Sequence, residues 1–139
     1  MALTIVDAGV VIAILDSSDV HHAAAKGAVT QARSRGEELA IPASAYAEVL
    51  VGPYRQSRKA ALTVDEFLSA LPARVEPATR EIAAIAAQLR AKHGARLRLP
   101  DALVVATAMQ LNAVRLLTTD AGWPSLLVLV EVVAGPRRS

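Results

Sequence analysis

The sequence predicts an α/β fold: a central parallel sheet of about four to five short strands with helices on both faces. Three observations point there. Short apolar runs of strand length alternate with stretches of helical periodicity, the pattern of strands joined by helical crossovers. The strand-like runs, such as "LTIV" and "LLVLV", are almost wholly apolar, which suits strands covered on both sides. The 139 residues contain no linker, repeat or low-complexity segment, so they are read as one domain with a core of its own.

In chain order, "ALTIV" (Ala2 to Val6) is the first strand, stopped by Asp7, and "VVIAIL" begins a buried helix. "DVHHAAAKGAVTQARSRG" is an alanine-rich helix with Gly36 as its stop. "ELAIP" is a second strand closed by Pro42, and "ASAYAEVLVG" is a helix opening after that proline. "RKAALTVDEFLSALP" is a helix ended before Pro72, and "ARVEP" a brief strand. "TREIAAIAAQLRAKHG" places Ile82, Ile85, Ala86 and Leu89 at helical spacing, with Gly94 as its terminal signal. "PDALVVATAMQL" reads as a buried helix with Pro100 as its first residue and Asp101 its second. The strand "AVRLLTT", the turn "DAGWP" and a last strand "LLVLV" complete a domain over residues 1–134, with 135–139 expected as a mobile basic tail.

Composition narrows the class. Hydrophobic residues make up 53% but aromatic ones only 3%, so the core must be built from Ala, Val, Leu and Ile. The mean hydropathy of +0.36 raises the question of a membrane span. No run approaches the roughly 18 uninterrupted apolar residues a transmembrane helix needs. The N-terminus lacks a basic n-region and carries Asp7 inside its apolar stretch, a poor signal peptide. The absence of cysteine excludes a disulfide framework and thiolate metal sites. The expectation is a cytoplasmic protein that does not engage a membrane. A net charge of +2 is compatible with a nucleic-acid partner without requiring one.

In an open parallel sheet, ligands collect at the carboxyl ends of the strands, where the following helices begin. That rule sorts the 13 acidic residues. Asp7 ends the first strand, Asp120 lies just past "VRLLTT", Asp101 opens a helix, and Glu48 lies about a turn and a half into the helix after the second strand. Separately each has a plain structural reading: Asp101 complements the helix dipole, Asp120 is a turn residue, and Glu48 a solvated helix residue. Asp7 resists one, since a charge between "TIV" and "AGVVIAIL" is costly to bury unpaired. Four carboxylates at one edge would repel, and some would protonate, unless a cation held them. Oxygen-only ligands suit Mg²⁺ or Mn²⁺ better than zinc, and such an ion activates water and offsets phosphodiester charge. The chemistry expected is metal-assisted phosphodiester hydrolysis.

"TIVDAGVVIAIL", "IPASAYAEVL", "LPDALVVATAMQL" and "LLTTD" resemble, in order, the acidic motifs of PIN-domain ribonucleases, and the order and length are those of the VapC-type toxins of VapBC toxin–antitoxin pairs. The resemblance covers nearly the whole chain, and "PDALVVATA" is its most specific segment. It implies an Mg²⁺-dependent endoribonuclease, with Mn²⁺ as substitute, that acts as the toxin of a type II toxin–antitoxin system. Its acidic pocket would comprise Asp7, Glu48, Asp101 and Asp120, with the Thr118 hydroxyl orienting a carboxylate or the attacking water. It also implies a VapB-type antitoxin as partner and a homodimer. One departure stands out: relatives often carry Ser or Thr two residues after the first Asp, where this chain has Gly9.

"RAKHGARLR" gathers five basic residues before Asp101. Arg90, Lys92, Arg96 and Arg98 are the candidates for gripping RNA phosphates beside the acidic pocket; the alternative is a solvated helix end. Arg55, Arg58 and Lys59 are candidates for a second patch. Tyr46, Tyr54 and Trp123 are the only sizeable aromatics, with Trp123 expected in the core. His21, His22 and His93 are expected on the surface, the adjacent pair diverging by about 100° on a helix. Asp16 and Asp19 are read as capping residues. The "RKAALTVDEFLSAL" helix, with the helices before it, is a candidate groove for an antitoxin segment or a homodimer contact; the alternative is ordinary core. Two other phosphoryl-transfer readings fare worse: a haloacid-dehalogenase phosphatase wants Asp where Gly9 stands, and a receiver domain wants paired acids and a late lysine. A non-cleaving PIN-like module that binds metal and a protein partner is the competing class.

Overall fold

The computed structural model describes residues 1–136. Five parallel strands form one sheet in the order β3-β2-β1-β4-β5: β1 Leu3–Val6, β2 Glu38–Pro42, β3 Ala73–Glu76, β4 Arg115–Thr118 and β5 Val130–Val132. Every residue of β1 is buried, as are Leu39 to Pro42 of β2, because helices cover the middle of the sheet on both faces. That burial explains why these strands read as unbroken apolar runs. The helices are α1 Ala8–Leu15, α2 His22–Ser34, α3 Ala43–Gln56, α4 Arg58–Ala70, α5 Arg80–His93 and α6 Leu99–Gln110. Among the described residues, no helix is long and apolar enough to cross a membrane.

The largest fully buried side chains are aliphatic, with Ile5, Ile41, Leu68, Leu97, Leu116 and Leu117 at the centre. Alanine does the rest: Ala102, Ala106 and Ala108 of α6 are wholly buried, and α6 is buried around most of its girth. Small side chains bring α6 close to α5, which offers Ile82, Ala86 and Leu89. At the end of α5, Gly94 has φ +57, a conformation without penalty only for glycine.

Three elements depart from expectation. The helix expected to begin at Pro100 begins at Leu99, so Asp101 is its third residue and still in its first turn. The helix α3 continues past Gly52, where the expected segment ends, through Pro53 to Gln56. The last strand is not "LLVLV": the chain runs irregularly past Trp123 and pairs with β4 only at Val130–Val132, leaving Leu127 92% exposed. Leu126 and Val128 still pack on the core, so apolarity alone does not mark a paired strand. Of the expected tail, Gly135 sits so close to the Val20 carbonyl that a Cβ there would come within 2.8 Å; residues 137–139 lie outside the described residues.

The strand order reverses between β1 and β4. The chain moves outward from β1 through β2 to β3, then crosses back to place β4 on the opposite side of β1. A crevice opens at such a switch, between the loops that leave the two central strands in opposite directions.

Candidate active site

Asp7 follows β1 directly at that switch. Its backbone N–H continues the ladder to the Leu117 carbonyl at 2.9 Å, and its side chain caps α1 by accepting from the Ala8 N–H at 2.8 Å. The second carboxylate oxygen accepts from the Thr118 hydroxyl at 2.8 Å. Thr118 ends β4, is wholly buried, and itself accepts from the Asp120 N–H at 3.1 Å. One hydroxyl thus fixes both the Asp7 carboxylate and the backbone of Asp120. Asp120 accepts in turn from the Gly122 N–H at 2.7 Å, the turn expected of it, and is itself exposed.

Burial pushes the Asp7 carboxyl above its ordinary range; the Thr118 and Ala8 hydrogen bonds pull it back, while the charges of Glu48 and Asp120 push it further up. Asp101 is half-buried and also raised, first by burial and then by Asp7 and Asp120, with Trp123 and Arg98 pulling it down. The structure therefore gathers the four carboxylates expected at this edge around Asp7, which feels Glu48 and Asp120 and in turn acts on Asp101. It does not close them into a finished cage. Among the described residues no three acidic or histidine side chains are grouped tightly enough to hold an ion as they stand, and Glu48 and Asp120 are exposed. The donor set itself fits a hard divalent cation: it offers carboxylate and hydroxyl oxygens, two of the carboxyls are raised by burial and mutual repulsion, and no soft ligand is present.

Trp123 is half-buried and packs against the core, as expected, but it also belongs to the site. Its indole N–H is buried without a well-formed hydrogen bond, yet it stands near enough to Asp101 to lower that carboxyl. No sequence pattern ties a residue in the "DAGWP" turn to a helix 22 residues earlier.

The basic stretch divides. Arg90 is half-buried and its guanidinium donates to the Gly94 and Leu97 carbonyls at 2.6 and 3.1 Å, fastening the end of α5 to the loop after it. Lys92, Arg96 and Arg98 are exposed, and Arg98 immediately precedes α6, near enough to act on Asp101. Tyr46 is not free to stack on a base: half-buried, it donates its hydroxyl to Asp65 at 2.6 Å, joining α3 to α4. The three histidines are half-buried instead of exposed, and the His22 ring contacts the Ala13 carbonyl at 2.8 Å across α1 and α2. Asp16 and Asp19 shape the turn between these helices by accepting from Ser18 and His21.

The sequence matches the PIN domain family over residues 4–138. No curated protein gives a significant sequence match. Among solved structures, the chain is similar to VapBC2 from Rickettsia felis bound to a DNA fragment from its promoter (TM-score 0.72, 13% identity, covering 96% of this chain and 99% of that one). A toxin–antitoxin complex from Klebsiella pneumoniae is matched with a TM-score of 0.65 at 24% identity over 88% of this chain and 96% of that one. VapC20 of Mycobacterium tuberculosis, a toxin cleaving the sarcin–ricin loop, is matched with a TM-score of 0.64 at 18% identity over 81% and 86% of the two chains. A match over nearly the whole chain, taking in all four carboxylates, means that the chain belongs to the PIN domain family.

Proposed function

We propose that this protein is a divalent-metal-dependent endoribonuclease acting as the toxin of a VapBC-type toxin–antitoxin pair. The observation that carries the reading is the crowding of Asp7 and Asp101 at the sheet's switch point, both carboxyls raised by burial and by their acidic neighbours. An arrangement that is unfavourable when empty becomes favourable once a cation neutralises it. Asp7 and Asp101 would hold Mg²⁺ or Mn²⁺, with Glu48 and Asp120 completing the charge from the exposed side. When bound, the ion would supply an acidified water and offset the charge on a phosphodiester.

The chain's own contribution is positional. Thr118 holds one Asp7 oxygen in a fixed direction, and the Ala8 N–H holds the other. The apolar girth of α6 anchors Asp101 so that it cannot retreat from Asp7. Lys92, Arg96 and Arg98 present exposed positive charge on the approach to α6, where RNA phosphates need it against the negative pocket. With few aromatic side chains, recognition rests on backbone contacts and RNA shape. A groove lined by Ile12, Leu15, Val49, Pro53 and Val64 lies between α1, α3 and α4 and includes Glu48 at its wall. Its apolar floor beside the acidic pocket supports an antitoxin segment as the occupant, in keeping with the toxin–antitoxin complexes of the same fold.

The test is cleavage of total cellular RNA by the purified protein in Mg²⁺ or EDTA, alongside Asp7→Asn and Asp101→Asn. Discrete Mg²⁺-dependent fragments from the wild type, reduced about a hundredfold or more in each variant, are expected. Intact RNA under every metal condition from folded, antitoxin-free protein would leave the second reading, a binding module, which the exposure of Glu48 and Asp120 favours.

A further inference from the structure

Gly9 is the second residue of α1 and lies two residues past Asp7. A Cβ built on it would overlap the Thr119 hydroxyl outright, and would lie 3.6 Å from the Thr119 Cβ and 3.7 Å from its methyl. The volume that any side chain at position 9 needs is therefore filled by an oxygen of the residue that follows β4. Thr119 stands between Thr118, which binds Asp7, and Asp120. Within a strand, neighbours face opposite ways, but β4 ends at Thr118, and the chain turns there so that both threonine hydroxyls reach the start of α1. Thr118 Oγ1 is committed to Asp7 and Asp120. Thr119 is half-buried, and its hydroxyl makes no hydrogen bond to any described residue. The hydroxyl, not the methyl, is the atom nearest the glycine.

The geometry points to Thr119 as a catalytic residue: its hydroxyl donates to a non-bridging oxygen of the scissile phosphate, and Gly9 is the gap that admits it. A neutral donor suits that place: Asp7 is two residues before Gly9 and Asp120 directly follows Thr119, and the Thr118 hydrogen is already given to Asp7. The α1 N-terminus beside it adds a favourable dipole. The position two residues past Asp7 is thus not deprived of a hydroxyl; it receives one from the other side of the switch point.

This inference rests on the ribonuclease reading, and its test separates the two. Cleavage of total cellular RNA and the Mg²⁺-induced rise in Tm are measured for Thr119→Val, Thr119→Ser, Gly9→Ala, and the pairs Gly9→Ala/Thr119→Gly and Gly9→Ser/Thr119→Gly. Thr119→Val, which keeps the shape, should lose about tenfold to a hundredfold in kcat with the Mg²⁺-induced Tm rise unchanged, and Thr119→Ser should stay near wild type. Gly9→Ala should displace the hydroxyl and lose activity. The Gly9→Ala/Thr119→Gly pair, which removes the overlap without restoring a hydroxyl, should stay low, whereas Gly9→Ser/Thr119→Gly should recover. A fully active Thr119→Val, or equal recovery by both pairs, shows that only space matters at this contact and overturns the inference while leaving the nuclease intact. A wild type that cleaves no RNA removes the ribonuclease reading and this inference with it.

Discussion

Thr118 shows how one buried side chain can govern a site made of charges. It donates to Asp7 and accepts from the Asp120 N–H, so replacing it with valine of the same shape leaves two polar groups without their partner. Thr118→Val is expected to cost about 1 to 3 kcal/mol in denaturant unfolding and at least about tenfold in RNA cleavage, with Thr118→Ser close to wild type. Equal cleavage by the valine variant would show that Asp7 needs no orientation. Among the site residues, Asp7 is legible in the sequence because no other charge interrupts so apolar a run, and Asp101 because Pro100 announces a helix start. Thr118 is legible only through resemblance to a family motif. Thr119 and Trp123 are not legible at all. Where their side chains arrive depends on how the chain turns after β4, and no local periodicity encodes that turn. The positions of Glu48 and Asp120 are readable, but their exposure is not, since it depends on what packs beside them.

At the scale of elements, the sheet is fastened at the end opposite the acidic pocket by a carboxylate that sequence inspection passes over. Glu37 precedes β2 and accepts from Thr4 of β1, from Arg35 at 2.9 Å, and from Arg115 at the start of β4, which also reaches Glu131 of β5 at 3.5 Å. Four strands of the sheet meet in this cluster. Its members are scattered from residue 4 to residue 131, so no spacing rule gathers them. The Glu37 side chain is only 6% exposed. Partial burial raises its carboxyl, but the hydrogen bonds from Arg35, Thr4 and Arg115 outweigh that and hold it at about 2, against 4.5 ordinarily. A carboxyl depressed in the folded state stabilises fully above its unfolded value, and that contribution is lost as pH falls through the folded one. Glu37→Gln should therefore unfold about 2 to 3 kcal/mol more easily at neutral pH, and its deficit against wild type should shrink between pH 4.5 and pH 2. A deficit that stays constant across that window would assign the loss to shape instead of charge. The short inner strands are readable because both faces are covered; before β5, Leu126 and Val128 pack on the core while Leu127 and Leu129 face outward, so an apolar run there does not mark paired strand.

Across the whole molecule, the two ends of the sheet make opposite demands. The Glu37 cluster pairs its charges and holds the strands; the acidic pocket gathers like charges, without a paired cation, where β1, β4 and α6 meet. A cation bound only by the folded chain would reverse that second effect, stabilising by about 1.4 kcal/mol at ten times its dissociation constant, which for a chain of this size is a Tm rise of a few degrees. Asp7→Asn removes a buried charge from a crowd of like ones, so its Tm without metal should equal or exceed the wild type's, while its Mg²⁺-induced rise should vanish. Glu37→Gln should do the reverse, lowering the Tm without metal and keeping the full rise. Thermal melts of the three proteins with and without Mg²⁺ separate these effects. The parallel fold and the carboxylate edge follow from the sequence because strand order and strand ends are properties of the chain path. Whether that edge is poised for an ion is a property of the assembled charges, and the crossed pattern of melts reads it directly. An Asp7→Asn protein that gains as much from Mg²⁺ as the wild type would place the ion elsewhere and remove the physical basis for metal-assisted hydrolysis at this site.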